Sequence, residues 1–190
     1  MTESGIATVR NTPICEVPAQ ALRIAATFSA VNTPNFDGVL IKPGVNEGEV
    51  MLLAAQGSKA VQILCEGNCQ RSVGLPTGAL RAAMRRDPEA EHVAVVKTDS
   101  GVSLRTYSGS TTVAVSMPET TITFTMPTPE PGASEVSYAR NLLTTTLRDL
   151  TPLVSVQLEP FKNCLQLTGQ GDSFSLYALI AGYAESSTLE

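Results

Sequence analysis

Six of the nine arginines in this 190-residue chain fall in three short segments that read as helices: Arg23, Arg81, Arg85, Arg86, Arg140 and Arg148. Against them these helices carry two acidic residues, Glu135 and Asp149, a balance of +4 in a protein whose net charge is −5. The remainder of the chain therefore holds −9. Fixed positive charge gathered on helices attracts a polyanion without reading its sequence, and an acidic remainder discourages binding elsewhere. A bland reading competes with this one: arginine is a good helix former whose long stem shields apolar surface. Recurrence in all three helices, with lysine almost absent from them, favours the polyanion.

Other reactive residues are few. Cys15, Cys65, Cys69 and Cys164 could form two disulfides or part of a metal site. "CEGNC" at 65 to 69 has a ligand-like gap and could hold a reactive thiol, with Arg71 as its one basic neighbour. The only histidine is His92 and there is no second close cysteine pair, so no metal or other cofactor is expected. The N-terminus lacks a basic start followed by an apolar stretch, from which reduced thiols and a cytoplasmic protein are expected. His92 lies in "EHVAVV", an alternating strand pattern that suits an exposed or satisfied histidine better than a general base. No G-x-S-x-G, phosphate-binding glycine loop or clustered carboxylate pair is present, so an enzyme is not expected. The longest apolar runs, such as "YALIAGYA" at 177 to 184, fall short of a membrane helix.

The arginines belong to a repeat. "PAQALRIAA" at 18 to 26 returns as "PTGALRAAM" at 76 to 84, with Pro, Ala, Leu, Arg and a later Ala in the same places. Proline suits the start of a helix and each copy follows a strand-like run, "ICEV" and "RSVGL". After each helix come three strand-like runs: "DGVLIK", "EVMLLAA" and "KAVQILC", then "EHVAVVK", "VSLRTY" and "TTVAVSM". A third unit follows: "TTITFTM" as a strand, the loop "PTPEPGAS", a helix from about Ser134 to Asp149, then "LVSVQLE", "NCLQLTG" and "SFSLYALI". Three β-α-β-β-β units give a mostly antiparallel sheet with helices on one face, an α+β fold.

Each helix carries one apolar stripe: Ala21, Ile24, Ala25 and Phe28; then Leu80, Ala83 and Met84; then Val136, Leu143, Leu147 and Leu150. The opposite faces hold Arg23, then Arg81 and Arg85, then the ridge Arg140, Thr144 and Arg148. An odd number of units leaves a half-built domain and open strand edges, which invite pairing with another copy. A head-to-tail contact whose rotation closes makes a ring.

These features resemble the bacterial DNA polymerase sliding clamp, the DNA polymerase III beta subunit. "FDGVLIKPG...EVMLLAAQGSKAVQI" is similar to that family's strand, strand, "ATDG" turn and strand. "VGLPTGALRAAMR" is similar to the strand-proline-helix entry to the second half of a clamp domain. The resemblance covers residues 14 to about 184. It implies a sliding-clamp (DNA clamp) fold with antiparallel sheets outside and helices lining a ring. It further implies one complete domain over 14–119, from units at 14–66 and 71–119, and a third half-domain unit over 120–184 that completes a domain with another chain. Clamp rings contain twelve units, so three per chain implies a homotetramer. The implied function is a processivity factor that encircles double-stranded DNA without sequence preference, with a DNA polymerase as partner and a clamp loader where one is used. The six arginines are then DNA-facing, no membrane is involved, and the setting is a nucleoid or an infected bacterial cytoplasm. A ring-forming scaffold that encircles no DNA is the alternative. Two departures stand out: "AAQGSKA" lacks the turn's usual Asp, and the chain ends "YALIAGYAESS" in place of a Met-Pro rich terminus that forms part of the family's peptide pocket.

Overall fold

The computed structural model describes residues 12–31, 33, 37–132 and 137–182, and among them it places twelve strands and three helices. The first unit runs β1 (Pro13–Pro18), α1 (Ala19–Thr27), β2 (Val39–Pro43), β3 (Glu49–Gln56) and β4 (Lys59–Glu66). A two-residue strand, β5 (Asn68–Cys69), intervenes. The second unit runs β6 (Val73–Leu75), α2 (Thr77–Arg86), β7 (His92–Thr98), β8 (Gly101–Ser108) and β9 (Thr111–Met117). The third has α3 (Arg140–Asp149), β10 (Ser155–Pro160), β11 (Cys164–Gln170) and β12 (Phe174–Ala181).

Two antiparallel sheets result, ordered β5-β1-β7-β8-β9 and β10-β11-β12-β4-β3-β2-β6. The first two units exchange their opening strands: β1 pairs with β7 of the second unit, and β6 pairs with β2 of the first. Because each unit's sheet is completed by the other, neither apolar face is buried until both are present. The shared core includes Leu22, Phe28, Ile41, Leu52, Ile63, Leu75, Leu80 and Leu104, all fully buried. The third unit joins differently, edge to edge. Its last strand β12 pairs antiparallel with β4 from Phe174↔Cys65 to Ile180↔Lys59, so one sheet runs unbroken across both units.

The expected α+β architecture and the three helices are found, and the expected strands are found with one exception. "TTITFTM" is not a strand. It is extended and alternates, with Ile122 buried between exposed Thr121 and Thr123. At the neighbouring strand edge the Thr120 N–H donates to the Gly74 carbonyl (3.0 Å), and among the described residues that bond does not grow into a ladder. Period-2 burial marks a segment lying along a surface, which alternation alone does not make a strand. The third helix begins at Arg140, six residues later than expected, and the stretch 133–136 lies outside the described residues. β5 was not expected, because two residues carry no periodicity.

Gly74 makes the close approach of this connecting segment possible: a Cβ there would be driven into the Thr120 carbonyl. Gly74→Ala is therefore expected to destabilise the fold by about 1–3 kcal/mol, as overpacking does. A urea midpoint equal to the parent's would contradict the assigned path of residues 118–124.

Candidate nucleic-acid interface

α1 and α2 lack capping side chains of their own at either start, and each takes its cap from the other unit. The Ala19 N–H at the head of α1 donates to the Glu91 carbonyl (2.9 Å), and the Thr77 N–H at the head of α2 donates to Asp37 Oδ1 (3.2 Å). The far ends are treated alike. Arg81 donates from Nε and Nη2 to the Ala26 carbonyl (3.0 and 2.8 Å) and from Nη2 to the Ser29 carbonyl (3.0 Å), at the C-terminal end of α1. Arg23 Nη2 donates to the Asp87 and Ala90 carbonyls (3.0 and 3.1 Å), just past the end of α2. The last carbonyls of a helix have no partner within it and carry its negative dipole end, so a guanidinium suits them in both hydrogen bonding and charge. The repeated P-x-x-A-L-R is thus an interlock: the leucine enters the core and the next residue caps the opposite helix.

The third helix has no such mate. Five residues after its cap residue Ala139, where the other helices carry Arg23 and Arg81, stands an exposed Thr144. α1 buries six residues and α2 four, whereas α3 buries only Thr146 and leaves Leu147 37 % exposed. α3 is held to the first unit at one end, where Lys59 Nζ lies 3.6 Å from Asp149 Oδ2 and 4.8 Å over the Phe28 ring. Burial pushes the Lys59 ammonium below its ordinary pKa, and Asp149 opposes that shift. Asp149 is the one acidic residue of the three helices, since Glu135 lies outside the described residues, and Lys59 answers its charge.

The six arginines expected to share one role are therefore placed in two settings. Arg23 and Arg81 are half-buried and occupied with carbonyls, though their charge remains. Arg85, Arg86, Arg140 and Arg148 are exposed. Arg85 and Arg148 occupy equivalent places, nine residues beyond Pro76 and Ala139. Between α1 and α2 lies a shallow groove of about 410 Å³ lined by Arg23, Thr27, Arg81, Met84 and Arg85. Such a surface can hold phosphates by charge; exposed arginines without fixed partners suit loose contacts better than base readout.

A second concavity lies outside the helices. Where the β3–β4 turn, the connecting segment, the start of β11 and the end of β12 meet, an apolar pocket of about 460 Å³ is lined by Ala55, Phe124, Pro127, Cys164 and Leu179. Reading "TTITFTM" as a strand hid it. The prolines at 127, 129 and 131, which resist a ladder, were the available signal. His92 is exposed at the start of β7, and among the described residues no three His, Cys, Asp or Glu side chains are grouped to hold a metal.

The two settings of arginine predict opposite mutational behaviour. Arg81→Ala, which removes the guanidinium from the Ser29 carbonyl and leaves the Ala26 carbonyl with the Ser29 hydroxyl, is expected to cost about 1–3 kcal/mol. Arg85→Ala is expected to stay within about 0.5 kcal/mol of the parent. Urea unfolding of both variants checks this, and equal losses would contradict the interlock.

No family model and no curated protein matches the sequence. The fold does match solved structures. Over 90% of this chain it superposes on all of the proliferating cell nuclear antigen of Entamoeba histolytica, with a TM-score of 0.55 at 9% identity. The A. fulgidus antigen, solved with the C-terminal region of FEN-1 bound, gives a TM-score of 0.56 at 10% identity, covering 90% of this chain and 99% of that one. The DNA polymerase III beta sliding clamp of Bartonella birtlesii gives 0.55 at 13% identity; 91% of this chain is covered but only 64% of the longer bacterial one. At these identities the likeness is one of architecture, and this chain is built on the sliding-clamp fold.

Proposed function

We propose that this protein is a DNA sliding clamp, a ring of identical copies that encircles duplex DNA and tethers a replicative polymerase to it. The observation that carries the reading is the segregation of charge on this fold. The helices expose Arg85, Arg86, Arg140 and Arg148, their one described acid is answered by Lys59, and the chain as a whole is acidic. Duplex DNA presents one negative charge per roughly 1.7 Å of axis, so such a lining attracts it at any sequence. Four copies of six arginines supply 24 positive charges, 16 of them exposed. Contacts of this kind allow sliding, and enclosure supplies the persistence that they lack.

The ring closes through the third unit. Residues 14–119 form a complete domain from units at 14–66 and 71–119, while 120–184 is a half-domain completed by another chain; twelve units at three per chain make a homotetramer. The exposed apolar residues support this: Val154 beside β10 is 82 % exposed, Leu158 on it 50 %, and Leu147 on α3 37 %. β9 and β10 are open edges, the positions at which sheets extend into another copy. A polymerase peptide is the occupant we propose for the apolar pocket beside Phe124 and Leu179, whose Ala55, Pro127 and Cys164 lining suits an apolar side chain. In this role the protein catalyses no reaction, requires no cofactor and acts in the cytoplasm. No described helix is long and apolar enough to cross a membrane.

The test is topological. Protein bound to nicked circular plasmid at moderate salt should stay with the DNA through gel filtration, and cutting the circle once should release it at least tenfold faster. The combined Arg85, Arg86, Arg140 and Arg148→Ala variant should bind less and lose salt dependence, by up to about 0.9 in log–log slope per phosphate contact removed. Equal retention on circular and linear DNA would replace enclosure with ordinary binding. No retention on either would favour a scaffold ring.

A further inference from the structure

We infer that Cys15 and Cys69 are a built site of oxidative modification: a thiol pair that takes two electrons' worth of oxidation from a small-molecule disulfide and becomes a cross-strand disulfide between β1 and β5. The two residues are direct register partners at the edge of the first sheet. The Gln70 N–H donates to the Ile14 carbonyl (2.8 Å), which makes Ile14–Gln70 a hydrogen-bonded pair and Cys15–Cys69 a non-hydrogen-bonded one. In such pairs the Cα atoms stand about 4.5 Å apart, inside the range that a disulfide spans. The sulfurs are 2.7 Å apart, so little movement separates contact from bond. Both also neighbour the Arg71 carbonyl oxygen, at 3.6 and 3.1 Å.

The pair is asymmetric in the way that exchange chemistry needs. Cys69 is partly exposed and open to a reagent, whereas Cys15 is 1 % exposed. The two thiols share a hydrogen bond, and the Arg71 charge stands nearby; both hold the Cys69 thiol below its ordinary pKa. The same hydrogen bond, with burial, holds Cys15 well above it. Cys69 thiolate is therefore the attacking group. It forms a bond to one sulfur of the oxidant and expels the other as a thiolate. Cys15 gives up its proton and attacks the Cys69 sulfur of the mixed disulfide, expelling the second thiol. In balance, two protein thiols and one disulfide RSSR yield one protein disulfide and two RSH. Cys65 and Cys164 are buried and take no part.

The site also has a structural neighbour of consequence. Arg71, two residues beyond Cys69, makes a two-pronged pair with Glu119 (2.5 and 3.0 Å), which fixes the start of the connecting segment. Oxidation thus staples the strand that leads into that anchor.

The experiment treats the folded protein with oxidised glutathione and reads it by intact mass and peptide mapping. The expected product has lost about 2 Da, the two thiol hydrogens, and yields one cross-linked peptide containing Cys15 and Cys69. Two of the four thiols should remain titratable. Cys15→Ser should stop at a retained glutathione adduct on Cys69, and Cys69→Ser should give neither adduct nor cross-link. Four free thiols in the treated parent, a stable glutathione adduct on its Cys69, or a cross-link through Cys65 or Cys164 would each overturn the assignment. The outcome is independent of whether the protein encircles DNA.

Discussion

The structure depends on one reciprocal contact: each of the first two units sends an arginine to carbonyls at or just past the end of the other unit's helix. Arg81 serves Ala26 and Ser29, and Arg23 serves Asp87 and Ala90. Buried carbonyls left unpaired are costly, and a half-built sheet leaves its apolar face in water, so the first two units lean on each other. The exchange of β1 and β6 links them in the same way in the sheets. The third unit, attached through β12 and β4 and through Lys59–Asp149, is the exception that gives the chain its open face.

Charge follows from that geometry. Because the interlocking arginines are drawn inward to carbonyls, the surface of the helices is left to Arg85, Arg86, Arg140 and Arg148. Two demands, holding the pair together and presenting positive charge, are met by the same residue type at different turns of the helix. Arg85 and Arg148 share one position in the unit, which marks that turn as outward in both. Thr144, where the interlock arginine would be, fits a helix whose partner carbonyls are absent from its own chain.

Much of this was legible in the sequence. Short apolar and β-branched runs bounded by turn residues gave eleven strands their places, since such runs fit a sheet and the glycines and prolines between them do not. The apolar stripes through Ile24 and Phe28 and through Leu80 and Ala83 gave two helices their buried face. The repeat disclosed the units. What the sequence could not disclose was the use made of Arg23 and Arg81, because the accepting carbonyls lie 64 and 55 residues away and carry no residue type. "TTITFTM" misled because alternation records burial on one face and says nothing of ladder partners. Cys15 and Cys69, 54 positions apart, became a pair only through the two-residue strand β5, too short for any pattern.

The claim on which the functional account turns is that the third unit is half of a domain shared between chains. Native mass by light scattering at micromolar concentration tests it most directly. Four chains of 20.0 kDa give about 80 kDa, the value the account predicts. A monomer of 20.0 kDa at every concentration, with the α3 and β10 faces still open, would contradict it.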